Sequence, residues 1–268
     1  MSTDRDLTLY LYASLDSLLK IIETGKLKVS LPWGTNDITE GVPRNEQVRN
    51  YQTEAYGYIC LSDNCTSPAM WGYYADRGRG ACLVFRFKWL QPCKQNQNKE
   101  IIAWKIAHPS SEKVSLLSGK LYQVEYGEER SVFKSAEDIL RYKSSDWKHE
   151  REYRYITPLA DTKLENIIDT SYGKTGLYFV TDFTKYIAGI ILGPRCQLQP
   201  IDVIEYVKKY TPEIKNPHIS PDVDVVKAKF SPDSYSFIRQ DNSSLATTGQ
   251  SLIPSSPKPP FTWKKTED

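Results

Sequence analysis

Short apolar runs typical of β-strands recur along this chain as far as Phe230, and few helical patterns lie between them. Tyr56–Ser62 and Ala81–Phe87 are predicted to be buried strands, whereas Leu15–Glu23 carries its leucines on one helical face. These elements lack the regular alternation of βαβ units, which favours an α+β fold. We therefore predict a mixed, largely antiparallel sheet with flanking helices.

The remaining elements are predicted in the same way, from apolar periodicity and from turn residues at the ends of each run. Ser14 is predicted to cap the first helix and Gly25 to end it. Further helices are predicted at Ser67–Asp76, Ser135–Trp147 and Pro200–Lys209. Further strands are predicted at Leu7–Ser14, Leu27–Leu31, Leu121–Tyr126, Glu152–Thr157, Gly176–Thr181, Ile187–Leu192 and Val223–Phe230.

The chain is predicted to contain one α+β domain, residues 1–235, and a C-terminal tail, residues 236–268. The tail contains four prolines and six serines without periodicity, a composition typical of flexible segments. Phe261 and Trp263 precede Lys264 and Lys265 near its end, which leaves two interpretations open. They form either a docking motif for a protein partner or part of a solvated tail.

Composition excludes several classes of protein. A net charge of +2 argues against a global basic field for nucleic acid but leaves a local patch possible. Five scattered cysteines and three distant histidines argue against a disulfide framework and a zinc site, so no metal is expected. No apolar signal core and no run of about 20 apolar residues is found, so we expect a cytoplasmic protein without a membrane partner.

The motifs of several common enzyme classes are missing from the sequence. It contains no phosphate-binding Gly-x-x-x-x-Gly-Lys loop, no Rossmann Gly-x-Gly-x-x-Gly and no Gly-x-Ser-x-Gly elbow. A serine or cysteine hydrolase is therefore not expected.

Acidic and basic side chains alternate in the segment 147–154. If this segment enters a strand, Glu150, Glu152 and Arg154 lie on one face, because side chains on a strand repeat every two residues. Two carboxylates beside a guanidinium form either a functional site or an exposed stripe of ion pairs.

Aromatic and basic residues surround glycines in the segment 67–80. Trp71 and Tyr74 could stack on a planar ligand while Arg77 and Arg79 bind its phosphates. The alternative is a helix that packs its aromatic side chains into the core. Five basic residues and one acid, Asp76, lie between positions 71 and 94, so this stretch is also a candidate for nucleic-acid binding.

A third candidate is the first strand and the start of the helix that follows it. Tyr10, Tyr12 and Ser14 place polar groups beside a helix N-terminus, which can hold an anion. Asn36 and Asp37 follow this helix and could contribute further polar groups.

In order along the chain, these segments resemble a bacterial family of unknown function, DUF2971, over roughly residues 7–195. The matching segments are Leu9–Ser14, Gly25–Leu27, Asn36-Asp37, Leu61-Ser62, Met70–Asp76, Gly80, Cys82–Phe85, Trp147–Arg154 and Ile190–Gly193.

The opening strand and helix also resemble those of ADP-ribosyltransferases, including members that modify nucleic acids. This resemblance implies that NAD⁺ is the substrate, that Glu152 is the catalytic acid and that Glu150 activates the acceptor. Tyr10, Tyr12, Ser14, Trp71, Tyr74, Arg77, Arg79 and Arg154 are then expected to bind NAD⁺. Leu11 stands where many such proteins carry His, so a neighbouring tyrosine must replace that contact or NAD⁺ binding is degenerate.

The sequence therefore leaves three functions open. The first is an NAD⁺-dependent ADP-ribosyltransferase-like enzyme, a toxin or phage-defence effector, that modifies a protein or nucleic-acid acceptor. The second is a catalytically degenerate module that binds a nucleotide or a partner in a defence system, which the Leu11 departure favours. The third is a nucleic-acid-binding protein.

Overall fold

The structure, a computed structural model, describes residues 5–37, 39, 55–95, 101–106, 117–129, 135–170, 173–210, 219–234 and 237–240. In this part of the chain most strand pairings of described register are antiparallel, Ile187–Leu192 pairs in parallel with Asp224–Phe230, Glu125–Gly127 pairs in parallel with Tyr142–Ser144, and the helices are few and short. The predicted α+β class with a mixed, largely antiparallel sheet is therefore confirmed.

The helices of the described residues are short, and serine side chains cap three of them. They are α1 (Leu15–Thr24), α2 (Pro68–Tyr74), α3 (Ala136–Leu140) and α4 (Pro200–Tyr210). The hydroxyl oxygens of Ser14, Ser67 and Ser135 accept hydrogen bonds from backbone N–H groups in the first turns of α1, α2 and α3. Gly25 ends α1 with a φ of 65°, as predicted, because glycine adopts this left-handed conformation without steric cost.

The strands supply most of the regular structure in the described residues. They are β1 (Arg5–Ala13), β2 (Leu27–Lys28), β3 (Tyr56–Ser62), β4 (Ala81–Gln95), β5 (Ile101–Lys105), β6 (Lys120–Gln123), β7 (Glu125–Gly127), β8 (Tyr142–Ser144), β9 (Glu152–Pro158), β10 (Lys163–Thr170), β11 (Gly173–Val180), β12 (Ile187–Leu192), β13 (Asp224–Phe230) and β14 (Phe237–Gln240).

The chain divides into two compact units. Unit one contains Met1–Leu7, Lys26–Asp63 and Phe87–Phe183, and unit two contains Thr8–Gly25, Asn64–Arg86 and Thr184–Asp268. The single domain predicted for residues 1–235 stays a prediction.

In unit one, neighbouring strands pair antiparallel in the order β3, β9, β6, β5 and the second half of β4. A separate antiparallel sheet has the order β10, β11, β2, and β7 pairs with β8 in parallel. Tyr58, Ala103, Tyr122, Leu140 and Ile156 form a buried cluster in this unit. In this cluster, side chains on one face of β3 and β9 pack against Leu140, the last residue of α3.

In unit two, the first half of β4 pairs antiparallel with β12, β12 pairs in parallel with β13, and β13 pairs antiparallel with β14. Trp71 is the largest side chain of the buried cluster in this unit. Its ring lies 5.3 Å from that of Tyr12 and 5.7 Å from that of Phe237. The aromatic side of α2 therefore forms core packing with β1 and β14.

Several element boundaries differ from the prediction. The helix predicted over Ser135–Trp147 is wrong beyond Leu140, because Tyr142–Ser144 pairs with Glu125–Gly127 and a 3₁₀ helix, Ser145–Glu150, follows. Pairing with a distant strand overrides the local helix propensity of this segment. Strand β14 begins within the predicted tail, and residues 241–268 of that tail lie outside the described residues.

Candidate functional site

The turn between the 3₁₀ helix and β9 separates Glu150 from Glu152. Arg151 adopts a left-handed conformation there, with φ 50° and ψ 52°, which is uncommon for a residue other than glycine. Its guanidinium forms two contacts with the Asp63 carboxylate, at 2.5 and 3.1 Å. This ion pair helps to hold the turn, so that Glu150 ends one element and Glu152 begins the next.

Glu152 and Arg154 form a two-contact ion pair. The Nε and Nη2 atoms of Arg154 donate to the two carboxylate oxygens of Glu152, at 2.8 and 3.0 Å. The remaining Nη1 donates to the carbonyl oxygen of Leu140 at 2.5 Å, and the guanidinium lies 4.6 Å from the centre of the Tyr58 ring. Arg154 is therefore fixed on both edges and on one face.

Lys143 joins the two glutamates. Its Nζ atom donates to Oε2 of Glu150 at 2.6 Å and to Oε2 of Glu152 at 3.2 Å. The same ammonium group lies 4.8 Å from the centre of the Trp147 ring. Lys143, Glu150, Glu152 and Arg154 together form what we call the charged cluster, in which two positive charges face two negative charges.

The charged cluster is buried. The exposed fractions of Glu150, Glu152 and Arg154 are 3%, 4% and 0%. Burial raises the pKa of the Glu152 carboxyl, but Arg154 and Lys143 more than offset this and lower the pKa to about 2. Burial lowers the pKa of Lys143, and Glu152 and Glu150 raise it above its ordinary value. Glu152 is therefore ionised and Lys143 is charged at neutral pH.

Hydrogen bonds from other segments fix the backbone of the two glutamates. The backbone N–H of Glu152 donates to the Tyr126 hydroxyl oxygen at 2.7 Å. The Ser62 hydroxyl donates to the carbonyl oxygen of Glu150 at 2.6 Å. The carboxylates are thus positioned by main-chain as well as side-chain contacts, as a preorganised site requires.

The structure brings together three residues that the sequence pattern singles out, Glu150, Glu152 and Arg154. The alternative of an exposed ion-pair stripe is wrong, because all three side chains are buried. The sequence pattern does not identify Lys143, because it predicts a continuous helix over Ser135–Trp147. The strand pairing of Tyr142–Ser144 with Glu125–Gly127 is what brings it to the glutamates, and no local signal indicates that pairing.

A cavity of about 350 Å³ lies in unit one and is lined partly by β9. Tyr155 and Thr157 line it, together with Ser118 and Asp182. Successive side chains on a strand point to opposite faces, so these two residues lie on the face of β9 opposite Glu152 and Arg154. The cavity and the charged cluster are therefore separated by the strand.

The aromatic residues predicted to bind NAD⁺ contribute to the core of unit two. The Tyr12 hydroxyl donates to the carbonyl oxygen of Asn64 at 2.8 Å, and Trp71 Nε1 donates to the carbonyl oxygen of Cys65 at 2.8 Å. Tyr10 and Tyr74 pack against the same cluster, and burial raises the pKa of Tyr10. The interpretation of α2 as a helix that packs its aromatics into the core is confirmed for Trp71, whose exposed fraction is 1%.

The polar residues predicted beside them lie at the surface of unit two. Ser14 caps α1, and its side-chain oxygen accepts from the backbone N–H of Ser17 at 3.2 Å. Arg77 and Arg79 are exposed in the turn that follows α2, where Arg79 lies 3.8 Å from the Asp76 carboxylate. Leu11 is half-buried on β1.

The predicted catalytic residues belong to unit one with Arg154, and the other predicted NAD⁺-binding residues belong to unit two. Their assigned roles stay predictions. Among the described residues, no group of three or more His, Cys, Asp or Glu side chains is arranged to hold a metal ion.

The comparisons with known proteins match part of the chain to a protein family. Residues 70–155 match the model of a family described as a protein of unknown function, DUF2971, so the predicted resemblance is confirmed over that segment. The segment runs from α2 through the charged cluster to β9. No curated protein and no solved structure matches the chain. None of the helices in the described residues is long and apolar enough to cross a membrane.

Proposed function

We propose that this protein is an ADP-ribosyltransferase-like enzyme that uses NAD⁺, with Glu152 as the catalytic carboxylate. The observation that carries the proposal is the Glu150–Glu152 pair at the start of β9, fixed by Lys143 and Arg154. A pKa of about 2 keeps Glu152 negatively charged at neutral pH. A fixed negative charge is what a reaction that develops positive charge on a ribose needs.

In the proposed reaction, the bond between ribose C1′ and the nicotinamide nitrogen breaks. Its electron pair stays on nicotinamide, which leaves as a neutral molecule, and positive charge develops on the ribose ring. The Glu152 carboxylate stabilises this charge. An N–H or O–H group of the acceptor then forms the new bond to C1′, and its proton passes to Glu150 or to water.

This role requires one local rearrangement. Both oxygens of Glu152 accept hydrogen bonds from Arg154, and Lys143 forms the longer contact at 3.2 Å. Lys143 is held more closely by Glu150, at 2.6 Å. A ribose hydroxyl would therefore replace the contact between Lys143 and Glu152, while Lys143 stays with Glu150 and Arg154 keeps Glu152 ionised.

The direct test is release of nicotinamide from NAD⁺ by the purified full-length protein, with and without cell extract as a source of acceptor. The variant is Glu152→Gln, which removes the charge and keeps the shape. The matched control is Glu165→Gln, which removes a carboxylate ion-paired with Lys26 elsewhere in unit one. Thermal unfolding of each variant separates lost chemistry from lost folding.

We expect release by the wild type and by Glu165→Gln, and a loss of at least 100-fold in folded Glu152→Gln, since one electrostatic contact at a transition state contributes about that much. Equal release by folded Glu152→Gln would refute the assignment of Glu152. Such an enzyme would serve as a toxin or phage-defence effector, with a protein or nucleic-acid acceptor.

A second candidate function is a catalytically degenerate module that binds a nucleotide or a partner. It is favoured by the burial of Glu152 and by the position of the cavity on the opposite face of β9. Under this proposal the charged cluster is structural. NAD⁺ or ADP-ribose would then raise the unfolding temperature without release of nicotinamide, whereas the enzyme would show both effects.

A further inference from the structure

Two turns of unit two pack against each other through backbone contacts. The N–H of Gly193 donates to the carbonyl oxygen of Gly80, and the N–H of Arg195 donates to that of Gly78, both at 2.9 Å. A Cβ atom at Gly193 would lie 2.2 Å from the Gly78 oxygen, and one at Gly80 would lie 2.1 Å from the Ala13 oxygen. Glycine at position 193 permits the two turns to approach, and glycine at position 80 permits the first turn to approach the end of β1, because a Cβ at either position would require backbone movement.

The packing of these turns brings three arginines into one region. Arg77 and Arg79 lie in the first turn, Arg195 lies in the second, and all three are exposed. Arg195 Nη1 lies 3.5 Å from the carbonyl oxygen of Arg77. Asp76 faces Arg79 at 3.8 Å, with both side chains about half exposed. The contacts described for this region thus place three positive charges against one negative charge.

An exposed aromatic ring adjoins the arginines. The guanidinium of Arg195 lies 5.7 Å from the centre of the Phe230 ring, and Phe230 is 55% exposed at the end of β13. Phe237, which is buried, supports this ring at 5.5 Å. Lys229, next to Phe230, is also exposed. We call Arg77, Arg79, Arg195 and Phe230 the arginine surface.

We propose that the arginine surface binds single-stranded nucleic acid. Arginine guanidinium groups match the geometry of phosphates, and an exposed aromatic ring provides a stacking platform for a base. A small nucleotide needs a concave pocket that covers most of its surface. The exposed side chains of this surface instead suit a chain that extends across it and contacts several phosphates. The proposal does not depend on cleavage of NAD⁺.

The arginine surface contains two residues of the basic stretch 71–94, Arg77 and Arg79, and two residues from distant parts of the sequence. Lys94, at the end of the stretch, is committed to Asp138 at 2.6 Å and belongs to unit one. Arg195 and Phe230 lie far from the stretch in the sequence, and the fold places Arg195 beside Arg77 and Phe230 beside Arg195.

The test is fluorescence anisotropy of a labelled 15-nucleotide single strand, as DNA and as RNA, titrated with full-length protein at several salt concentrations. The variants are the triple change Arg77→Gln, Arg79→Gln, Arg195→Gln and the single change Phe230→Ser. The matched control is Lys208→Gln, Lys209→Gln, which removes exposed charges from the last turn of α4 in the same unit. Thermal unfolding confirms that each variant is folded.

We expect affinity to fall with salt for the wild type and for the lysine control. The triple variant should bind at least 10-fold more weakly and lose about two units of the salt slope, since each phosphate contact to a single strand contributes about 0.7. Phe230→Ser should bind at least 5-fold more weakly, because stacking of one base contributes about 1–3 kcal/mol.

Three results would overturn the proposal. One is no binding to either strand at low salt. Another is equal loss of affinity in the arginine variant and the lysine control. The third is displacement of the labelled strand by polyglutamate as effectively as by the unlabelled strand. That result would show that the surface binds acidic polymers in general. The binding test contains no NAD⁺, so a negative result in it does not contradict the proposed enzyme activity. A negative result in the nicotinamide-release test likewise does not contradict nucleic-acid binding.

Discussion

The charged cluster should make the stability of the protein depend on pH through Glu152. Its pKa of about 2 lies below its ordinary value of 4.5, because Arg154 and Lys143 stabilise the charged form more than burial destabilises it. A difference of about 2.5 pH units corresponds to about 3 kcal/mol, since each unit equals about 1.36 kcal/mol. The folded state binds the proton more weakly than the unfolded state, so this contribution is fully present above pH 4.5 and is lost as the pH falls towards 2.

The perturbation is Glu152→Gln. At pH 7 it should lower the free energy of unfolding by about 3–5 kcal/mol, because it leaves Arg154 buried beside a neutral amide. At pH 3.5, about 1 kcal/mol of the wild-type contribution should already be lost, which narrows the gap between wild type and variant. Urea unfolding monitored by tryptophan fluorescence, at several pH values between 7 and 3.5, measures that gap directly.

Glu165→Gln serves as the matched control, since it removes an ion-paired carboxylate at the surface. We expect a smaller change in stability than for Glu152→Gln, because this ion pair is partly exposed and solvent screens it. A gap for Glu152→Gln that stays constant between pH 7 and pH 3.5 would refute the reasoning. It would mean that the pKa of Glu152 is the same in the folded and unfolded states, so that pairing with Arg154 and Lys143 only offsets the effect of burial.

Three further changes test the packing around the two candidate sites. Tyr126→Phe removes the acceptor of the Glu152 N–H and should cost about 1–3 kcal/mol in urea unfolding; an unchanged midpoint would contradict that hydrogen bond. Gly193→Ala should lower the melting temperature by several degrees in circular dichroism, because the new Cβ meets the Gly78 oxygen at 2.2 Å. Trp71→Phe should destabilise the protein by roughly 1–3 kcal/mol, through a lost hydrogen bond and a small cavity, and a neutral result would exclude the core packing of α2.

Local patterns predict strands and helix caps correctly where the residues of the segment itself determine its structure. Ile187–Leu192 is confirmed as a strand of the same bounds, because a run of apolar residues ends at Gly193 and Pro194. Ser14 and Gly25 bound α1 as predicted, since capping depends on the few residues at each end of a helix. These signals require no knowledge of distant partners.

Some strands depend on pairing with a neighbouring strand and are harder to predict from their own residues. Ile101–Lys105 and Lys163–Thr170 were not predicted as strands, although both are paired in the structure. In Lys163–Thr170 charged and polar residues interrupt the apolar positions, and its strand form depends on antiparallel pairing with Gly173–Val180. Propensity alone does not reveal such pairings.

The candidate site was predicted in part for the same reason. Glu152 and Arg154 lie on one strand, so their proximity could be predicted from strand periodicity, whereas Glu150 precedes that strand and meets the same lysine through the turn at Arg151. Lys143 reaches them only through the pairing of β7 with β8, and Arg195 reaches Arg77 only through the packing of two turns. The burial that distinguishes the charged cluster from an exposed ion-pair stripe likewise depends on the whole of unit one.

Each candidate site contains a turn with strained backbone, and both turns lie in the segment that matches the family model. Among the described residues other than glycine, those with positive φ are Asp76, Arg77 and Arg151. Such conformations cost about 1–2 kcal/mol each and persist only where the surroundings hold them. Arg151 separates the two glutamates that meet at Lys143, and Asp76 with Arg77 forms the turn on which Arg195 packs. Because both strained turns lie within residues 70–155, the segment that matches the family model, the geometry of each site is a property to test across that family.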